Sequence, residues 1–144
     1  MPHAKLFLLI TLSMVTVAGC FAQNTKQTVV VTNIKSKKGK LMIGWYSNEA
    51  SYDERKNPIF KKKADVDKQG RVSVVFDNIP SGKYAISVYL DENENDQMDT
   101  NFLGIPKEQY GFSNNILPAT RAANFSEAVF EITNKPSEIL IRLK

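Results

Sequence analysis

The chain reads as all-β: a single antiparallel β-sandwich with one long ordered loop. Three observations predict it. Apolar and polar residues alternate with period two through most of the chain. Breaker clusters such as Lys68-Gln69-Gly70 and Asn78-Ile79-Pro80-Ser81-Gly82 separate the alternating runs. No segment of useful length carries a helical period.

The N-terminal residues read as an address label, and 1–19 are set aside as a signal peptide. Lys5 supplies the positive start. The apolar run Leu6 to Gly19 is shorter than the ~20 residues a membrane span needs. Val17-Ala18-Gly19-Cys20 resembles a bacterial lipobox, which makes Cys20 the expected lipidation site and first mature residue. The rival reading is cleavage after Ala22 with simple secretion. Residues 20–26 are then a short linker, and 27–144 are one domain. The expected location is the cell envelope, lipid-anchored in the periplasm or at the outer membrane. The membrane is met through the N-terminal lipid.

Each element follows in order. Thr28 to Thr32 is β-branched and reads as a strand. Lys37-Lys38-Gly39-Lys40 is a turn. Leu41, Ile43 and Trp45 alternate with Met42, Gly44 and Tyr46 in the second strand, with Trp45 read as core. Asn48 to Pro58 reads as irregular. Ile59 to Val66 is a lysine-rich edge strand, its charges guarding against edge-to-edge pairing. Val72, Val74 and Phe76 share one face, as do Tyr84, Ile86, Val88 and Leu90. Ala128 to Ile132 and Ile139 to Leu143 supply the last strands. The turn Ile79-Pro80-Ser81-Gly82-Lys83-Tyr84 is similar to one in immunoglobulin-like and transthyretin-like modules, which gives the sandwich its expected subtype.

Residue usage narrows the chemistry. The one histidine is His3, inside the leader, and the one cysteine is Cys20. The mature domain therefore lacks Ser-His-Asp and Cys-His mechanisms, Cys/His zinc sites and internal disulfides. The formal net charge is +4. Its basic clusters read as solvated loops and strand edges, and nucleic acid is not an expected partner.

The segment from Asp91 to about Thr120 is too long for a passive connection. Phe102, Leu103, Ile105, Tyr110, Phe112 and Ile116 in it call for burial, while Gly104, Pro106 and Gly111 look like bends. Its start places oxygen-bearing side chains at positions one, three, five and nine of a loop: Asp91, Asn93, Asn95 and Asp99. With the Gln97 carbonyl at position seven, this is the spacing by which a tight loop wraps calcium. Position six, usually Gly, is Asp96, and position twelve, usually a bidentate Glu, is Phe102. Expected calcium affinity is therefore weak, on the order of 10⁻⁴ to 10⁻³ M as in extracellular modules. The bland reading is a polar solvated turn. Glu108, Phe112, Asn114 and Asn115 are further loop-contact candidates. Core packing for Phe112 and backbone capping for the two Asn are the alternative. Ser113 has no histidine base.

The stretch Tyr84-Ala85-Ile86-Ser87-Val88-Tyr89-Leu90-Asp91-Glu92-Asn93-Glu94-Asn95, continuing from Asp99 through Phe102-Leu103-Gly104-Ile105-Pro106-Lys107-Glu108 to Tyr110-Gly111-Phe112-Ser113-Asn114-Asn115, resembles a family of exported bacterial proteins known as domain of unknown function 2141. The resemblance runs from about Gln27 to Leu143. Asp96 departs from the Gly usual there. The family carries no established activity, so the resemblance implies a type of protein and no reaction.

The expected function is thus a non-catalytic envelope module with a calcium-stabilised loop and a binding or structural role. An envelope protein or a glycan is the expected partner, and the chain is expected to be a monomer. The alternatives are a glycan-acting enzyme using loop carboxylates, which needs two carboxyls at catalytic spacing, and a carrier of a small apolar ligand.

Overall fold

A computed structural model describes residues 25–144. The expected signal peptide, residues 1–19, and the expected lipidation site Cys20 lie outside those residues. The described elements are β1 (Gln27–Thr32), β2 (Lys40–Tyr46), α1 (Glu49–Asp53), β3 (Phe60–Asp65), β4 (Arg71–Phe76), β5 (Gly82–Asp91), β6 (Tyr110–Phe112), α2 (Phe125–Ala128), β7 (Phe130–Ile132) and β8 (Ser137–Arg142). They build an all-β, sandwich-like fold from two sheets. One has the order β4-β1-β8, and the other runs β3-β2-β5-β6 with β7 also pairing β5.

Alternation becomes layering. Leu41, Ile43 and Trp45 of β2 and Tyr84, Ile86, Val88 and Leu90 of β5 all face inward. They meet Val29 and Val31 of β1, Val74 and Phe76 of β4, and Ile141 of β8 in one cluster. Burying each such aliphatic side chain contributes roughly 1.5–3 kcal/mol. Trp45 is fully buried, its ring 5.3 Å from Phe76 and 5.7 Å from Tyr84 by centroid. The turn before β5 is closed by the Tyr84 hydroxyl, which donates to the Pro80 carbonyl at 3.0 Å. β3 forms the edge of its sheet, with Lys61, Lys62 and Lys63 exposed.

Pairing is antiparallel with one departure. β1 and β8 run parallel, in register from Gln27↔Ser137 to Thr32↔Arg142. Parallel strands need a long crossover, and here most of the chain lies between the two. Two short helices also depart from the sequence reading. α1 falls in the segment read as irregular and starts at Asn48, whose side chain accepts the Ser51 N–H. α2 starts at Asn124 with a capping box completed by Glu127. At four and five residues both are too short to show a period. Together with β6 they cover a second cluster, in which Tyr46, Tyr52, Ala85, Phe112, Ala123 and Ala128 are buried.

Candidate metal loop

β5 carries Asp91 to the end of its sheet, where Lys40↔Asp91 is the last pair with β2. Asp91 is only 1% exposed, and its carboxylate is not idle. Oδ1 accepts the backbone N–H of Asn95 at 3.1 Å, and Oδ2 accepts that of Asp96 at 2.8 Å. One buried carboxylate thus curls the next five residues around itself. The curl requires left-handed backbone at Glu94 (φ 58°) and Asp96 (φ 64°). Asp96 adopts the conformation for which position six of a calcium loop ordinarily uses Gly. Asp is among the side chains that tolerate it best.

The other candidates gather on Asp99. Asn93 donates its side-chain N–H to Asp99 Oδ2 at 2.7 Å, and Asn95 donates to Oδ1 at 3.1 Å. The carboxamide oxygens accept backbone N–H groups two residues on: Asn93 Oδ1 from Asn95, and Asn95 Oδ1 from Gln97. All four side-chain candidates are therefore tied into one hydrogen-bonded turn, with Gln97 as an N–H donor to it. Among the described residues, no three Asp, Glu, His or Cys side chains converge as a metal cluster. The hard oxygens on offer are two carboxylates plus carboxamides and carbonyls.

Glu108 completes the loop from the far side. It is 7% exposed. Its Oε1 accepts the Glu92 N–H and its Oε2 the Asp99 N–H, each at 2.9 Å. Its two oxygens hold the two ends of the turn together. The sequence offered Glu108 as a contact residue. Its role as a clamp depends on a fold-back that spacing alone does not reveal.

The apolar residues of the loop divide. Phe112 is 5% exposed and packs in the second cluster beside Tyr52 and Tyr110. Phe102, Leu103 and Ile105, expected to be buried, are 93%, 68% and 55% exposed, and Ile116 is 37% exposed. The reason for the first three is local. Asn101 donates its backbone N–H to Ile105 O, and its side-chain oxygen accepts the N–H groups of Leu103 and Ile105. With the Thr100↔Pro106 bridge this closes a small hairpin on itself, and its tip faces solvent. Gly104 does bend the chain (φ 76°). Gly111, also expected to be a bend, instead lies within β6. There a Cβ would sit 2.8 Å from the Arg142 carbonyl, so it lets β6 pass close to β8.

Ser113, Asn114 and Asn115 form a tight turn after β6, with left-handed backbone at Asn114 (φ 61°) and Asn115 (φ 54°). The Asn114 amide donates to the carbonyls of Glu127 and Val129, and Asn115 bonds Leu140 O and the Arg142 N–H. The fully buried Ser113 Oγ accepts the Ile86 N–H at 2.9 Å and donates to Ala128 O. These three side chains stitch α2 and β8 to β5.

A family model described as an uncharacterized protein conserved in bacteria, DUF2141, matches residues 29–140. The chain belongs to the DUF2141 family. The match takes in the strands from β1 into β8, with the whole Asp91–Glu108 loop inside it, so in this DUF2141 protein the loop is part of the family's domain. Neither a curated protein nor a solved structure matches the chain significantly.

Proposed function

We propose that this DUF2141 protein is an exported, non-catalytic envelope module whose Asp91–Asp99 turn takes up calcium. The observation that carries the reading is the curl of the backbone around Asp91, with left-handed Asp96 at position six. Asp91, Asn93, Asn95 and Asp99 already lie within hydrogen-bond reach of one another or of a shared N–H, and their oxygens suit a hard cation. Asn93 and Asn95 donate N–H to Asp99 in this geometry, so holding an ion requires their carboxamides to turn an oxygen inward. With two carboxylates the site is a weak one.

The placement of the loop fits an anchored module. β1 enters at the end of the sandwich where Gln27 pairs with Phe76 and Thr25 Oγ1 donates to Ile79 O. The Asp91 turn lies at the other end of β5, a strand of ten residues that spans roughly 33 Å. A lipid on Cys20 would then hold the first end near a membrane and present the turn away from it.

The test is thermal unfolding in millimolar calcium against chelator. At ten times the dissociation constant, calcium stabilises by about 1.4 kcal/mol. The melting temperature rises with calcium, and the rise disappears in Asp99→Asn, which keeps the side-chain shape and removes one charge. Equal melting curves in calcium and chelator would refute the metal reading. Fatty-acid labelling of the wild type against Cys20→Ser tests the anchor separately.

A further inference from the structure

The hairpin between Thr100 and Pro106 leaves three apolar side chains uncovered together. Phe102, Leu103 and Ile105 are all exposed, and no charged residue falls between Asn101 and Pro106. Single exposed apolar residues are ordinary, whereas a cluster of them marks a contact surface. The tip stands clear of the domain: a Cβ added to Gly104, at its turn, would have no atom within 4 Å. Its base is firm, because Lys107 donates its N–H to the Asp99 carbonyl at 2.8 Å and Glu108 holds the Asp99 N–H.

Two properties point to what covers it. The first is the backbone. Leu103 and Ile105 donate their N–H groups to the Asn101 side chain, Gly104 donates to the Asn101 carbonyl at 3.0 Å, and Pro106 has no N–H. A hydrocarbon boundary admits backbone whose donors are satisfied within the segment. A partner strand would find few donors left to pair with.

The second is charge. Lys35 donates its backbone N–H to the Gln109 side chain at 2.7 Å, Gly39 brings the Lys37-Lys38 turn against Asp91, and Ile34 donates to the Gly70 carbonyl in the Lys68 turn. Those contacts set Lys35, Lys37, Lys38 and Lys68 at the end of the sandwich from which the hairpin projects, with Lys107 at its base. All five are exposed, and none forms an ion pair among the described residues. The acids of the adjoining turn are largely engaged. Glu94 pairs with Lys40, and Asp96 with Lys63. Asp91 and Glu108 are buried on backbone N–H groups, and Asp99 accepts the Asn93 and Asn95 amides. Asp65, Asp67 and the half-buried Glu92 remain. The charge free to meet a surface here is positive.

We propose that this end of the sandwich docks on an anionic phospholipid bilayer, with Phe102, Leu103 and Ile105 entering the acyl boundary and the lysines meeting the lipid phosphates. The docking needs no calcium at the Asp91 turn. β1 enters at the opposite end, so a lipid on Cys20 would leave this end to meet a second lipid surface.

The full chain carrying Cys20→Ser, which removes the lipidation site, and Phe102→Trp tests this in chelator, so that the metal reading plays no part. The natural Trp45 is fully buried, so emission changes report the introduced indole at the tip, whatever the N-terminal apolar run does. Vesicles of phosphatidylcholine mixed with phosphatidylglycerol shift that emission to the blue, and brominated acyl chains quench it. The half-maximal shift takes at least about tenfold less lipid than with phosphatidylcholine alone, since two lysines near an anionic surface already contribute that much. Lys37→Glu with Lys38→Glu raises the lipid required about tenfold or more. Leu103→Ser with Ile105→Ser does the same by removing apolar contact. All these positions are exposed, and circular dichroism checks the folds. The proposal is overturned if neither vesicle moves the emission, if both move it equally, or if it shifts with protein concentration alone, which would assign the tip to a second copy.

Discussion

Glu108 and Asp99 are joined by one hydrogen bond, from the Asp99 backbone N–H to Glu108 Oε2 at 2.9 Å. The other oxygen of the same carboxylate accepts the Glu92 N–H. A single side chain therefore fixes both ends of the candidate metal turn, and it does so without occupying any of the oxygens proposed as ligands.

Glu108→Ala should leave both N–H groups without their acceptor. Each unsatisfied buried donor costs about 1–3 kcal/mol. Denaturant unfolding should show a loss of about 2–4 kcal/mol, reduced by whatever water reaches the vacated space. Glu108→Gln keeps one acceptor and should lose less. Faster hydrogen exchange at Glu92 and Asp99, with β1 and β2 unaffected, would locate the effect at the turn.

Gly39 should not tolerate a side chain. Its φ is 93°, and a Cβ would stand 2.4 Å from the Asp91 carbonyl oxygen and 2.7 Å from the Glu92 Cα. Gly39→Ala combines a forbidden backbone region with a clash against the start of the turn, and should cost more than about 1 kcal/mol. Chemical-shift changes should concentrate at Asp91 and Glu92. Wild-type stability in this variant would show that the approach is looser.

Ser113→Ala should be disproportionately harmful for the loss of one oxygen. It removes the acceptor for Ile86 N–H and the donor to Ala128 O, both buried. The expected loss is about 1–3 kcal/mol, with α2 loosened first. A neutral outcome would mean that water or backbone movement satisfies both groups.

The cap of α2 should respond to acid. Hydrogen bonds from Arg121, and then from the Asn124 backbone N–H, hold the Glu127 carboxyl down at about 2 against an ordinary 4.5. A depressed carboxyl adds stability that is fully present above its unfolded value. That stability is lost as pH falls through the folded one. The cap should hold at pH 5 and weaken progressively from about 4.5 towards 2. A carbon-detected titration of Glu127 reads this directly, and a midpoint near 4.5 would contradict the geometry.

Much of the architecture was legible in the residues. Leu41-Ile43-Trp45 and Tyr84 through Leu90 could alternate only on strands, and they form the two central strands of the larger sheet. The lysines of β3 marked an edge. Less legible was anything shorter than a period. β6 is three residues long, and α1 and α2 make about one turn each. The capping pair Asn124 and Glu127 was the one local signal for α2. Phe102, Leu103 and Ile105 read as core because hydrophobicity carries no direction, and Asn101 turns that hairpin outward.

Composition and periodicity by themselves determined the all-β class, the inward face of each long strand and the lack of histidine and cysteine in residues 27–144. These are properties of residue type and nearest-neighbour geometry, which the chain carries wherever it goes. Only the tertiary structure decided that β1 and β8 run parallel, that Glu108 folds back to clamp Glu92 and Asp99, and that Arg55 reaches the Ala123 carbonyl. Those relations join residues far apart in sequence, and their energy exists only once the two sheets have closed on a shared core.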